Sequence, residues 1–184
     1  MTATRIYRPD SDPAPEPTRR AAAPAGLAGL RVAVVDNGKP NAGLVMARLA
    51  ETLSGRARTR TTVVTKKGPA GRSANAAIPA APDIVERVVA GADLVITGSA
   101  DCGSCTAYSV YDAIEFERRG LPAVVVTTTK FEPIARSMAV HFGLPGTRIL
   151  VLPHPFGATD AATLRSWADA AVEDLAGLYL DAAR

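Results

Sequence analysis

The sequence predicts a doubly wound α/β domain on one five-stranded parallel sheet. Three observations predict it. Short β-branched runs recur at Arg31–Val35, Thr61–Thr65, Asp93–Thr97, Ala123–Thr127 and Arg148–Leu152. Stretches with apolar residues at helical spacing separate them, and this alternation is the pattern of a parallel sheet covered on both faces. With 47% hydrophobic and 21% charged residues over 184 positions, the chain has the composition of a globular domain with one core, which excludes collagen, coiled coil and disorder throughout.

Residues 1–28 read as a disordered Ala/Pro-rich tail, and residues 29–184 as the single α/β domain. Pro9, Pro13, Pro15, Pro17 and Pro24 fall in the tail, with no hydrophobic period between them. Arg19-Arg20 before AAAPAGLAGL has some features of an export signal, but Pro24 and the glycines break the apolar stretch. The expected location is therefore the cytoplasm. No apolar run nears the roughly 20 residues that span a bilayer, so no membrane is expected as partner.

The first strand, Arg31–Val35, leads to a helix over Asn41–Leu53, with Leu44, Val45, Leu49 and Leu53 at helical spacing. Thr61–Thr65 is the second strand. A loop with Lys66, Gly68, Pro69 and Pro79 then precedes a helix over Asp83–Ala90. Asp93–Thr97 runs through a cysteine loop into a helix of about Thr106–Arg119, which Gly120 and Pro122 end. After strand Ala123–Thr127, Pro133 opens a helix that stops at Gly143, and Arg148–Leu152 is the last strand. One final helix from Asp160 to about Leu180, capped by Thr159 or Asp160, places Leu164, Trp167, Ala171, Leu175 and Leu178 on one face as core. Right-handed crossovers make a flavodoxin-like strand order 2-1-3-4-5 the simplest arrangement.

The net charge of +3 is too small to indicate a nucleic-acid partner. Arg56, Arg58, Arg60, Lys66, Lys67 and Arg72 nevertheless cluster with no acid between Glu51 and Asp83. A solvated edge strand and loop accounts for them; an anion-binding loop is the alternative.

In doubly wound sheets ligands bind beyond the carboxyl ends of the strands, where strand order reverses. Four loops meet there: Asp36–Asn41, Gly98–Thr106, Thr127–Lys130 and Pro153–Gly157. The second carries Cys102-Gly103-Ser104-Cys105, the chain's only cysteines. At a helix N-terminus, unpaired N–H groups and the dipole favour a thiolate, and a second sulfur one turn behind can resolve a mixed disulfide. Asp101 acts the other way, since a neighbouring carboxylate disfavours the thiolate. Three readings of the pair stay open: a redox or nucleophilic site, a metal site shared with His154, or two buried structural cysteines. Two sulfurs and one histidine do not complete a closed zinc site, so no metal is expected.

His154, between Pro153 and Pro155, is expected extended and aimed at the cleft, as a general acid–base or as part of a polar network. His141 reads as structural. Lys39 and Lys130 are candidate anion-binding residues. Asn37 and Asn41 read as site-lining, or as turn and cap residues beside Gly38 and Pro40. Gly103, Ser104 and Thr106 can cradle an anion at the helix N-terminus. The chain has neither GxxxxGK[ST] nor, after the first strand, GxGxxG, so no nucleotide cofactor is expected.

The segments VVDNGKPNA, ITGSADCGSCTAYSVYDAIEFERRGLPAVVV and VLPHPFG resemble the UGSC family of bacterial selenoproteins and their cysteine homologues. The likeness covers roughly Leu30–Gly157. It places the family's selenocysteine at Cys102 and the partner cysteine at Cys105, implying that Cys102 attacks. Sulfur in place of selenium implies a slower nucleophile and leaving group.

The reading that follows is a thiol-dependent oxidoreductase acting on a small disulfide, peroxide or related electrophile. Cys102 is its nucleophile, Cys105 the resolving residue and His154 the proton donor. A thioredoxin-like or low-molecular-weight thiol resets it. The alternative is a non-redox enzyme in which Cys102 adds to a small carboxylate substrate held by Lys39, Lys130 or the basic loop, with His154 moving the proton. A binding protein with structural or metal-holding cysteines is the third class. Pairing of subunits through exposed helices is compatible with all three.

Overall fold

The computed structural model describes residues 18–66 and 76–181. The elements follow one another as β1 (Arg31–Asp36), α1 (Ala42–Ala57), β2 (Arg60–Thr65), α2 (Pro82–Gly91), β3 (Leu94–Ala100), α3 (Gly103–Arg118), β4 (Ala123–Thr128), α4 (Glu132–His141), β5 (Arg148–Leu152), α5 (Ala161–Ala170) and α6 (Val172–Leu180). The five strands form one sheet in the order β2-β1-β3-β4-β5, with every neighbouring pair parallel. The chain steps outward from β1 to β2 and then crosses back to β3. The switch point therefore falls between β1 and β3, where Val34 lies opposite Ile96.

Alternate strand residues feed two apolar layers. Val32, Val34, Leu94, Ile96, Val124 and Val126 face α1, α5 and α6, whereas Ala33, Val35, Val95 and Val125 face α2, α3 and α4. Burial on both faces explains why the central strands are continuous apolar runs. At about 25 cal/mol per Å² of apolar area, these layers are the main stabilising term.

The structure departs from the sequence reading in three places. The final helix is two: α5 ends at Ala170, the N–H of its C-cap Ala171 closes on Trp167 and Ala168, and α6 starts anew. The break lets α5 lie along α1 while α6 turns onto β4 and β5. The helix after the cysteine loop begins at Gly103 instead of Thr106, because Cys102 itself is the N-cap.

The third departure concerns residues 18–28, which the sequence assigns to the disordered tail. Thr18 N–H donates to Gly143 O, Leu27 is buried in the α1-side core, and Ala21 is held by a buried ion pair at the amino end of the sheet. The apolar residues here are mostly alanine, interrupted by Pro24 and Gly26, so no periodicity announced the packing; backbone hydrogen bonds help to hold it. Residues 1–17 lie outside the described residues, as do Lys67 and Arg72 of the basic stretch.

Candidate functional site

The carboxyl ends of β1, β3, β4 and β5 bring together the loops that carry the candidate residues. Cys102 caps α3 in extended conformation, and its Sγ accepts the Cys105 N–H at 3.4 Å. The two sulfurs are joined as a disulfide with a Cα–Cα separation of 5.4 Å, within the usual range for such bonds. Their environments differ. Cys102 is half-buried at the mouth, and Cys105, 1% exposed, lies behind it in the first turn. A cavity of about 90 Å³ opens onto both, lined also by Lys39, Pro40, Asp101 and Gly157.

Gly98, near the end of β3, has no room for a side chain. The Gly98–Ser99 peptide is cis, and Gly98 has φ near +142°. A Cβ there would meet the Val126 carbonyl oxygen at 2.6 Å, so glycine is required by both backbone and space. Asn37 closes this bend: its Nδ2 donates to Ser99 O at 2.9 Å, and its Oδ1 accepts the Lys39 N–H.

His154 stands after β5, and the His154–Pro155 peptide is cis. Its Nδ1 lies 2.9 Å from Asp101 Oδ1 and 3.1 Å from Thr128 Oγ1. The other oxygen of Asp101 accepts the N–H groups of Phe156 and Gly157 at 3.0 and 3.1 Å. Asp101 therefore directs its charge to the His154 loop as well as standing beside Cys102.

The remaining candidates separate into two groups. Lys39, Gly103 and Ser104 are exposed or half-exposed around the cysteines, with Ser104 Oγ 3.9 Å from Cys102 Sγ. Asn37, Asn41 and Thr106 use their side chains within the protein. Asn41 donates to Phe156 O and Thr159 O, tying the β1–α1 loop to the His154 loop, and Thr106 Oγ1 donates to Cys102 O at 2.6 Å. Lys130 is exposed in the turn before α4 and does not line the cysteine cavity. His141 is at the end of α4, against Phe142.

Of the basic stretch, Arg56 pairs with Glu173, and Lys66 reaches the buried Asp112 carboxylate at 2.5 Å. Ala80 N–H donates to the same carboxylate. Burial pushes the Asp112 carboxyl up, and the neighbouring Lys66 offsets part of that rise. Lys66 is therefore a buried partner of Asp112, not part of a free anion-binding loop.

Sequence reasoning missed Thr128 and the use of Asp101. Nothing local marks either: Asp101 and the Phe156 N–H that donates to it are 55 residues apart. Among the described residues no cluster of His, Cys, Asp and Glu forms a metal site, and no helix is long and apolar enough to cross a membrane.

Flavodoxin-like sheets can hold FMN at the β1/β3 switch point, with the phosphate on a helix N-terminus. Here Asp36 occupies that place. Its Oδ1 accepts the Gly38 N–H, and its Oδ2 lies 2.9 Å from where a Cβ on Gly43, in the first turn of α1, would sit. A resident carboxylate repels a phosphate, so this loop does not fit that cofactor.

Among solved structures, the chain is similar to an NAD(P)H:quinone oxidoreductase from Methanothermobacter marburgensis, at 16% identity, covering 80% of this chain and 100% of that one with a TM-score of 0.44. It is also similar to an FMN-dependent NADH-azoreductase from Bacillus anthracis, at 8% identity, covering 82% and 100% with a TM-score of 0.43. Likenesses of this size assign no chemistry to the chain. No curated protein matches it. The model of the UGSC family matches residues 5–180, and the chain belongs to that family.

Proposed function

We propose that this UGSC protein is a thiol-dependent oxidoreductase of the cytoplasm that reduces a small disulfide, peroxide or related electrophile. Cys102 attacks, Cys105 resolves the adduct to the intramolecular disulfide, and His154 handles the proton. A thioredoxin-like or low-molecular-weight thiol returns the pair to the dithiol.

The observation that carries this reading is the asymmetry of the pair. Cys102 is accessible from a small cavity and takes a helix N-cap position, where N–H groups favour the thiolate; Cys105 is buried within bonding reach of it. An attacking sulfur needs access and a resolving sulfur needs only proximity. Lys39 lines the cavity, and the exposed residues Gly103 and Ser104 open the helix next to Cys102, which favours substrates that bring negative charge near the reacting atom.

The test is a thiol titration of the purified protein across redox buffers, with intact mass at each point. Reversible loss of two thiols and about two mass units at one potential is the expected result. Two thiols that stay reduced across the range would overturn it.

Lys39 and Cys102 line the same cavity, which favours one second reading: addition of Cys102 to a small carboxylate substrate. Cys105→Ser separates the two, because a redox cycle stalls as a mixed disulfide while simple addition survives.

A further inference from the structure

Asp101 stands next to Cys102 in the chain, yet its carboxylate is organised around the loop after β5. Oδ2 is satisfied by two backbone N–H groups. Oδ1 is buried and accepts no well-aligned hydrogen bond among the described residues, although His154 Nδ1 is 2.9 Å away. We propose that Asp101 is a positioning residue: it holds the His154 proton on Nδ1, so that Nε2 is the nitrogen that shuttles the proton of the cysteine chemistry. This rests on the thiol-oxidoreductase reading.

Two tautomers compete, and the neighbours of Nδ1 decide between them. If Nδ1 carried a lone pair, that lone pair would face a carboxylate oxygen at 2.9 Å, and a buried anionic oxygen would be left without a donor. Leaving a buried charged acceptor unsatisfied is among the costlier defects a protein can carry. A proton on Nδ1 removes both problems with a small rotation of the ring. Thr128 Oγ1, 3.1 Å from the same nitrogen, favours the opposite tautomer only if its hydroxyl donates. A charge-assisted bond is roughly twice as strong as that neutral one, so the carboxylate wins and Thr128 turns a lone pair to the ring. Nε2 then keeps its lone pair. It has no hydrogen-bond partner among the described residues, on a side chain that is 29% exposed.

An unprotonated Nε2 is what the proposed reaction needs. His154 does not line the cavity at the sulfurs, so the proton of the Cys102 thiol reaches Nε2 through a water or a substrate atom, and the thiolate attacks one sulfur of an external disulfide. The Cys102–S bond forms, the external S–S bond breaks, and the departing thiolate takes the proton back from Nε2. Asp101 offsets the positive charge of the imidazolium while the proton is in transit. The Cys105 thiol then attacks the Cys102 sulfur, and its proton goes to the second departing thiolate. The protein dithiol is oxidised by two electrons and the external disulfide becomes two thiols.

The experiment is long-range ¹H–¹⁵N NMR of the reduced full-length chain at neutral pH, with His141→Gln assigning the two histidines. The neutral His154 ring should show its proton on Nδ1. Asp101→Asn keeps an oxygen for Phe156 and Gly157 but presents an amide N–H to Nδ1, and should move the proton to Nε2.

Reduction of hydroxyethyl disulfide by Asp101→Asn should fall about 100-fold or more, the scale of general acid–base catalysis. A nitrobenzoate disulfide, whose departing thiolate needs no proton, should lose several-fold less, because only the deprotonation of Cys102 still draws on Nε2. An Nε2 proton in the wild type, an unchanged tautomer in Asp101→Asn, or equal losses on both disulfides would overturn the proposal. If Asp101→Asn does not fold, Thr128→Val decides: the Nδ1 proton should persist, and its loss would overturn the assignment. The tautomer is read without any activity. A wild type with the expected tautomer that reduces neither disulfide therefore overturns the shuttle and the oxidoreductase reading together, while the positioning contact stands.

Discussion

A fully satisfied buried ion pair at the amino end of the sheet contrasts with the cysteine loop at its carboxyl end, where, among the described residues, not every buried polar atom has a partner. At the amino end, Glu117 and Arg148 pair with both side chains 0% exposed. The carboxylate accepts the N–H groups of Ala21 and Ala123, and the guanidinium donates to Ala21 O and Leu178 O. Nearby, Tyr179 donates to Val95 O at 2.6 Å, and burial raises its hydroxyl well above the usual range. At the carboxyl end, Ser99 Oγ and Asp101 Oδ1 are buried without a hydrogen-bond partner among the described residues, and a half-buried sulfur opens to solvent. A satisfied network holds one conformation and reacts with nothing, whereas groups left short of partners remain available to chemistry. The amino end is a clasp, and the carboxyl end is where the proposed chemistry would take place.

The largest test of that contrast is Cys102→Ser. Disulfide reduction should fall at least about 1,000-fold, as expected when a nucleophile is removed, while the far-ultraviolet circular dichroism is unchanged. An equal rate in the variant would place the chemistry elsewhere. Glu117→Ala acts at the other end. It strands a buried guanidinium and should lower unfolding stability in urea by about 3–5 kcal/mol without changing activity per folded molecule. A change below about 1 kcal/mol would show that the clasp contributes little.

A smaller effect belongs to the disulfide itself, which closes a loop between residues three apart. Loop entropy limits its contribution to about 2 kcal/mol, read as the shift in denaturation on adding reductant, and Cys105→Ser should abolish that shift.

The smallest effect is a pH slope. Burial holds the Asp112 carboxyl above its unfolded value, so the folded state binds that proton first. Its contribution to stability is fully present below about pH 3.9 and is lost as pH rises through the folded pKa. Asp93 runs the other way. The Arg31 hydrogen bond lowers its pKa, and its contribution is lost as pH falls through the folded value. Unfolding followed from pH 3 to 7 should show Asp112→Asn removing the first slope and leaving the second; retention of both would assign the slope to other groups.

The sheet was legible because each strand is a β-branched run such as Val32–Val35, and each helix carries its stripe within a few turns. The cysteine loop was legible for the same reason, since Cys102 and Cys105 are three residues apart. Family likeness reinforced it, because the motif and its flanks are contiguous. The clasp was not legible. Ala21, Glu117 and Arg148 are far apart in sequence, and a charged residue in an amphipathic helix or at a strand start reads as surface. The break at Ala171 was hidden too, because the apolar stripe runs on from Ala168 to Val172 and Leu175.

By itself, then, the sequence determined the strand order, the two-layer core and the cysteine motif at the mouth of α3. Each follows from patterns read over a few residues, or from the handedness that every parallel crossover obeys. Only the tertiary structure decided that Asp101 lies against His154, that Asn41 ties two loops together, and that residues 18–28 close the amino end. Those choices pair single polar atoms from distant segments. Polar pairing has no period along the chain, and appears only when strand order has set which loops become neighbours.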